Sequence, residues 1–155
     1  MDDGMPPDTL NDIGVLKRRE IEARILAPML DAFAAELGRE RALEIARRVI
    51  GEIARRQGRA LADHMGGKSL SHLARSQANW VKGDALTVEV LESGDAHHDF
   101  NVTRCRYAEM YRALGIPELG AILSCGRDAA LSEGFNPAMT LARTQTIMEW
   151  APHCD

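Results

Sequence analysis

The sequence predicts an α+β fold, with N-terminal helices followed by a small antiparallel sheet that carries a helical insertion. Two observations predict it. From Asp8 to about Met65 the apolar residues recur at helical spacing. From Leu86 the period changes to two, with Leu86, Val88 and Val90 alternating against Thr87 and Glu89. A single domain over 1–155 is expected, helical over 8–82 and sheet-containing over 83–155.

In the helical part, Asp8 stands behind two prolines as an N-cap, and Leu16, Ile21, Ile25, Met29, Phe33 and Leu37 follow as the apolar positions of a first helix. Pro28 predicts a kink or break, because proline removes a donor and crowds the preceding turn. Gly38 reads as the C-terminal stop. The next helix is arginine-rich and ends near Gly66-Gly67, with His64 on its apolar side. A third spans roughly Ser69 to Val81, directing Leu70, Leu73, Trp80 and Val81 toward the core.

In the second part, Ser93-Gly94-Asp95 supplies turn chemistry between two strands, the second running from about Phe100 to Cys105. A helix covers Tyr107 to Leu114 and stops at Gly115. Pro117 opens another, running to about Leu131 and closed by Gly134. The β-formers Thr140, Thr144, Thr146 and Ile147 predict a last strand from Met139 to Met148.

The 155 residues are 45% hydrophobic and 27% charged, the composition of a globular protein. No apolar run reaches the roughly 18 residues of a membrane span, and the acidic N-terminus lacks the basic and apolar regions of a signal peptide. A cytoplasmic location with no membrane partner is expected. Three cysteines are too few for a disulfide scaffold, so reduced thiols or a metal site are expected. The net charge of −4 argues against indiscriminate nucleic-acid binding. Residues 39–59 do hold seven arginines. Arg41, Arg48, Arg55 and Arg59 form one stripe, interrupted by Glu52 and opposed by Leu43, Ala46, Ile50, Ile53 and Leu61. No turn-plus-recognition-helix pattern accompanies it, so a solvated helix face is expected and no nucleic-acid partner.

The chemistry-bearing residues concentrate in the last third. Alternation along the 100–105 strand places Asn101, Thr103 and Cys105 on one face, suited to a small polar cavity. Cys125 and Asp128 stand three apart in a helix and share a face. Such a pair serves a thiolate nucleophile whose base is oriented by the carboxylate, or a zinc shell of Cys, His and Asp. The thiolate is slightly favoured, because the histidines (His64, His72, His97, His98, His153) lack ligand spacing. Arg143, in the last strand, either points to solvent or holds a carboxylate by paired hydrogen bonds. No His-Glu-x-x-His, paired Cys-x-x-Cys, glycine-rich phosphate loop or Gly-x-Ser-x-Gly elbow is present.

From about Trp80 to Asp155 the chain resembles the L-2-amino-thiazoline-4-carboxylic acid hydrolase family. The resemblance rests on six ordered blocks: Phe100-Asn101-Val102-Thr103-Arg104-Cys105-Arg106-Tyr107-Ala108-Glu109, Gly115-Ile116-Pro117-Glu118-Leu119-Gly120, Cys125-x-x-Asp128, Phe135-Asn136-Pro137, Arg143-Thr144-x-Thr146 and Cys154-Asp155. Family members usually carry a glycine where this chain has Trp150, and continue past the Cys-Asp pair. The resemblance implies hydrolysis of a small cyclic amidine or thiazoline carboxylate at a C–N bond. On that reading Cys105, Cys125, Asp128 and Cys154 form the catalytic core, and Arg143 binds a substrate carboxylate. Asn101, Thr103 and Thr144 position the ring or stabilise developing negative charge. A cofactor is either absent or zinc at the cysteines. The rival expectation is a non-catalytic module that binds a small acid as a ligand or sensor. The partner is a small molecule in either case, and self-association is left open.

Overall fold

The computed structural model describes residues 10–155. The N-cap expected at Asp8 lies outside them. After a 3₁₀ turn at Leu10–Ile13, helix α1 (Val15–Leu37) meets α2 (Arg39–Met65) at Gly38, whose φ of 86° favours glycine. Pro28 does not break α1. It is exposed, so the carbonyl of Arg24 that loses its helical donor faces solvent. α2 closes at Gly66 with the paired bonds Gly67 N–H to Ala62 O and Gly66 N–H to Asp63 O. His64 is exposed in its last turn rather than on an apolar side.

The third predicted helix is divided at Gln77 into α3 (Leu70–Ser76) and α4 (Ala78–Val81). Strands β1 (Leu86–Ser93) and β2 (His98–Cys105) form an antiparallel hairpin. Helix α5 (Arg106–Ala113) leaves β2 directly. Pro117 opens α6 (Pro117–Gly120), which widens into a π turn at Ala121–Cys125 and tightens again as α7 (Gly126–Phe135). A 3₁₀ turn at Ile147–Glu149 precedes the C-terminal residues.

One apolar core draws Val15, Ala23, Leu43 and Ile50 from the long helices and Tyr107, Tyr111, Ile122 and Leu123 from the second half. On α1 the buried face differs from the one the periodicity picks out. Val15, Ala23 and, in part, Leu26 and Leu30 face inward, whereas Ile21, Ile25, Met29, Phe33 and Leu37 are each about half exposed. Arg18 and Arg19 are buried in their place. They converge with Arg127 on the carboxylate of Glu22, and the Arg127–Glu22 bond spans 105 residues.

Helices α2 and α7 pack backbone to backbone. A Cβ on Gly58 would lie 2.1 Å from Leu131 O, and one on Gly134 would lie 2.1 Å from Arg55 O. Gly134 therefore sits inside α7 as a packing residue, not beyond its end as a stop. Arg55 and Glu133 close the outer edge of this contact with a 2.8 Å ion pair.

The expected last strand, 139–148, is not one. Its donors go elsewhere: Thr144 N–H and Gln145 N–H bond Asp155, and Ile147 N–H bonds the Cys154 sulfur. Of a third strand there remains an isolated bridge between Val102 and Cys154. The sheet of the described residues is the β1–β2 hairpin.

Replacing Gly134 by alanine should destabilise the protein by about 1–3 kcal/mol, because the new methyl meets rigid backbone. Gly94→Ala, where nothing lies within 4 Å, should change little. Urea unfolding followed by circular dichroism compares the two.

Candidate active site

Strand β2 carries a bulge at Thr103. Thr87 pairs with Arg104 and Val88 with Val102, which leaves Thr103 without a partner. The extra residue reverses the alternation. Cys105, opposite Leu86, joins Val102 and Phe100 on one face, while Asn101, opposite Glu89, lies on the other. Thr103 is exposed, with its hydroxyl 3.5 Å from Thr87 O. The shared polar face predicted for Asn101, Thr103 and Cys105 is thus undone by one inserted residue.

Cys105 ends β2 and caps α5, its sulfur accepting from Ala108 N–H at 3.4 Å. Cys154 lies beside Val102 through two backbone bonds, and its sulfur accepts from Ile147 N–H at 3.2 Å. Cys125 closes the π turn, a geometry that often marks functional positions. One turn on, Asp128 accepts from Arg143 at 2.6 Å, and the same guanidinium donates to Cys125 O at 2.8 Å. Arg143 is therefore turned inward onto the Cys125–Asp128 turn and not out to solvent. Thr144 lies outside this group: its N–H and hydroxyl both bond Asp155.

The structure thus brings together Cys105, Cys125, Cys154, Asp128 and Arg143, and their charges act on one another. Burial pushes the Cys125 thiol up to about 12; the Asp128 carboxylate adds to the rise, and Arg143 opposes it. Burial also raises Cys105 and Cys154, against the backbone N–H bond that each sulfur accepts. Burial thus favours the neutral form of each thiol over a pre-formed thiolate. Asp128 is itself raised by burial, with Arg143, Arg19 and Arg127 pulling the other way. Its side chain nevertheless keeps 46% of its surface accessible.

Zinc does not fit the cysteines as they are arranged. Among the described residues, the group that brings three donor atoms within 4.8 Å of one another is Glu92, His97 and Asp99, exposed at the hairpin end. His97 there bonds Glu92 at 3.0 Å. A cleft of about 720 Å³, with Ile122, Met148 and Trp150 among its lining residues, includes none of the three cysteines.

Sequence reasoning missed the support behind the site. Arg127 faces inward to Gln57 and Glu22, back to back with Asp128 on α7, and burial lowers its pKa to about 10. Tyr111, fully buried, bonds Ser124 beside Cys125 at 3.0 Å, and burial pushes its phenol up to about 12. The signal for the arginines was their spacing: Arg19 falls four residues from both Val15 and Ala23, on the inward face of α1. No helix is long and apolar enough to cross a membrane among the described residues.

A family model described as L-2-amino-thiazoline-4-carboxylic acid hydrolase matches residues 18–155. No match is found among curated proteins or among solved structures.

Raised thiol pKa values predict how the cysteines react. Alkylation of Cys125 by iodoacetamide should be slower than that of free cysteine at pH 7 and should climb with pH without a plateau below pH 10. Peptide mapping of alkylated protein across pH reads this directly. A plateau near pH 7 would restore the thiolate nucleophile.

Proposed function

Because this chain belongs to the L-2-amino-thiazoline-4-carboxylic acid hydrolase family, we propose that it hydrolyses a C–N bond in a small cyclic amidine- or thiazoline-type carboxylate. The observation that carries this reading is the partly exposed Asp128–Arg143 pair, with Cys105, Cys125 and Cys154 near enough to feel the charge of Asp128. A ring carbon bonded to nitrogen is opened by water when a base takes the water proton and an acid returns one to the departing nitrogen. A carboxylate whose pKa is raised above its ordinary value is better suited to both steps.

In this mechanism Asp128 accepts the proton as the water oxygen bonds to the ring carbon. The C–N bond then breaks, its electron pair stays on nitrogen, and Asp128 returns the proton there. Arg143 orients Asp128 through one N–H and fixes the π turn through another. Three of its five N–H donors are left for the substrate carboxylate and for charge that develops at the ring. The neutral thiols form a polarisable wall for a sulfur-containing ring. Asn101 and Thr103 stand away from this wall and Thr144 bonds Asp155, so none of the three is given a role.

Asp128→Asn should lower turnover of L-2-amino-thiazoline-4-carboxylate by about 10²–10⁴-fold while the circular dichroism is kept, whereas Cys125→Ala should lose less than about tenfold. In the wild type the rate should rise with pH through a pKa higher than that of a free aspartate, since only the ionised Asp128 accepts a proton. A chain that binds the acid saturably but never turns it over would instead be a ligand-binding module.

Arg143→Lys tests the clamp. Loss of the forked geometry should weaken the acid by about 1.5–3 kcal/mol, roughly 10- to 150-fold in KM, with an uncharged analogue much less affected. Equal affinity in both proteins would remove Arg143 from substrate binding.

A further inference from the structure

We infer that the cleft beside Trp150 is a second small-molecule site, separate from the Asp128–Arg143 pair, and that it takes a flat aromatic monocarboxylate. The cleft holds about 720 Å³, within the range of small-molecule sites. The buried side chains of Ile122 and Met148 line it together with Trp150. At 72%, Trp150 is the most exposed large apolar side chain among the described residues. It also holds φ 72°, an outlier for so bulky a residue, and such outliers concentrate where ligands are gripped. Its ring is fixed all the same: the Arg112 guanidinium lies 3.8 Å from the ring centroid and donates to Ile147 O. Arg112 covers one face of the indole and does not line the cleft, so the other face is open to stack on a planar ring. A ring already held loses little freedom on binding.

Charge sets the other end of the ligand. Arg47, on α2, lines the same cleft and has no hydrogen bond or ion pair among the described residues. The two carboxylates of the cleft are already engaged, Glu118 with Arg39 and Glu149 with the Thr146 hydroxyl. Arg47 also borders an adjoining hollow, where Arg48 and Arg55 are paired with Glu52 and Glu133. One uncommitted guanidinium therefore serves the whole groove. A single carboxylate matches its forked donors, whereas the several charges of a nucleotide would go mostly unmatched. The cleft touches the π turn through Ala121 and Ile122, and the start of α7 through Gly126. Neither Asp128 nor Arg143 lines it, so its occupant is held apart from the candidate active site.

The test is isothermal titration calorimetry of the full chain with 2-naphthoate and its uncharged analogue 2-naphthamide, with circular dichroism to check the fold of each variant. The acid should bind saturably to the wild type with a Kd below about 1 mM. Arg47→Gln, at an exposed position, should weaken the acid at least about tenfold and leave the amide within about twofold. Trp150→Gly should weaken both ligands about tenfold, and glycine is unstrained at that φ. Arg143→Lys, which alters the clamp proposed for the hydrolase, should leave 2-naphthoate binding as in the wild type. Absence of saturable binding overturns the inference. Undiminished affinity for the acid in Arg47→Gln overturns the carboxylate partner, and undiminished affinity in Trp150→Gly overturns the stacking. Loss of binding in Arg143→Lys would put the acid at the candidate active site and overturn a separate one. None of these outcomes depends on hydrolase activity.

Discussion

The rest of the structure depends on the contact between α2 and α7, where Gly58 and Gly134 each let the other helix's backbone approach to a distance that a methyl group would forbid. Close approach of two helices maximises dispersion contact along their length and leaves little freedom in rotation or shift. Because α7 is fixed in this way, the residues at its start are fixed as well. Arg127 is held inward toward Gln57 and Glu22, and Asp128 outward toward Arg143. Two neighbouring residues on one turn thus serve opposite purposes, one binding the helices and one facing the site.

The buried charge behind α7 has a physical logic of its own. Three arginines on one glutamate would be costly in an apolar interior, but each donates hydrogen bonds to a carboxylate that keeps some contact with water. Their positive field reaches Asp128 and partly offsets the burial that raises its pKa. The carboxylate is therefore poised by two opposed effects: enclosure favours its neutral form, and the guanidinium of Arg143 with the cations behind favours its charged one. At the thiols nearby burial outweighs the opposing pull of Arg143 and the backbone donors, and the neutral form is favoured.

The second half is held to the site by its own end. Asp155 gathers the backbone donors of Thr144 and Gln145, and its carboxyl is held down to about 2 by these bonds, the Thr144 hydroxyl foremost. Cys154 bonds Val102 on the sheet and Ile147 on the returning segment. Trp150 adopts φ 72°, a left-handed conformation in which glycine is unstrained and tryptophan is not, and its ring is held by Arg112 at 3.8 Å.

Much of the architecture was legible in the sequence, because helix periodicity, glycine stops and alternating strands are local properties. The order of the elements, the ends at Gly38, Gly66 and Gly115, and the gathering of Cys125 with Asp128 all follow from spacing of a few residues. What the sequence could not decide was wherever a distant partner outweighs a local preference. The β-formers of 139–148 do not make a strand, since their donors find Asp155 and Cys154 first. The inserted Thr103 turns Cys105 to the other face of the sheet, and an alternating pattern carries no mark of an unpaired residue. Periodicity also named the wrong face of α1, because four-residue spacing identifies a ridge but not which side of the helix meets the core. Arg18 and Arg19 went inside because Glu22 was there to receive them. Local sequence determined the elements; long-range pairing of polar groups decided which of their faces became the interior.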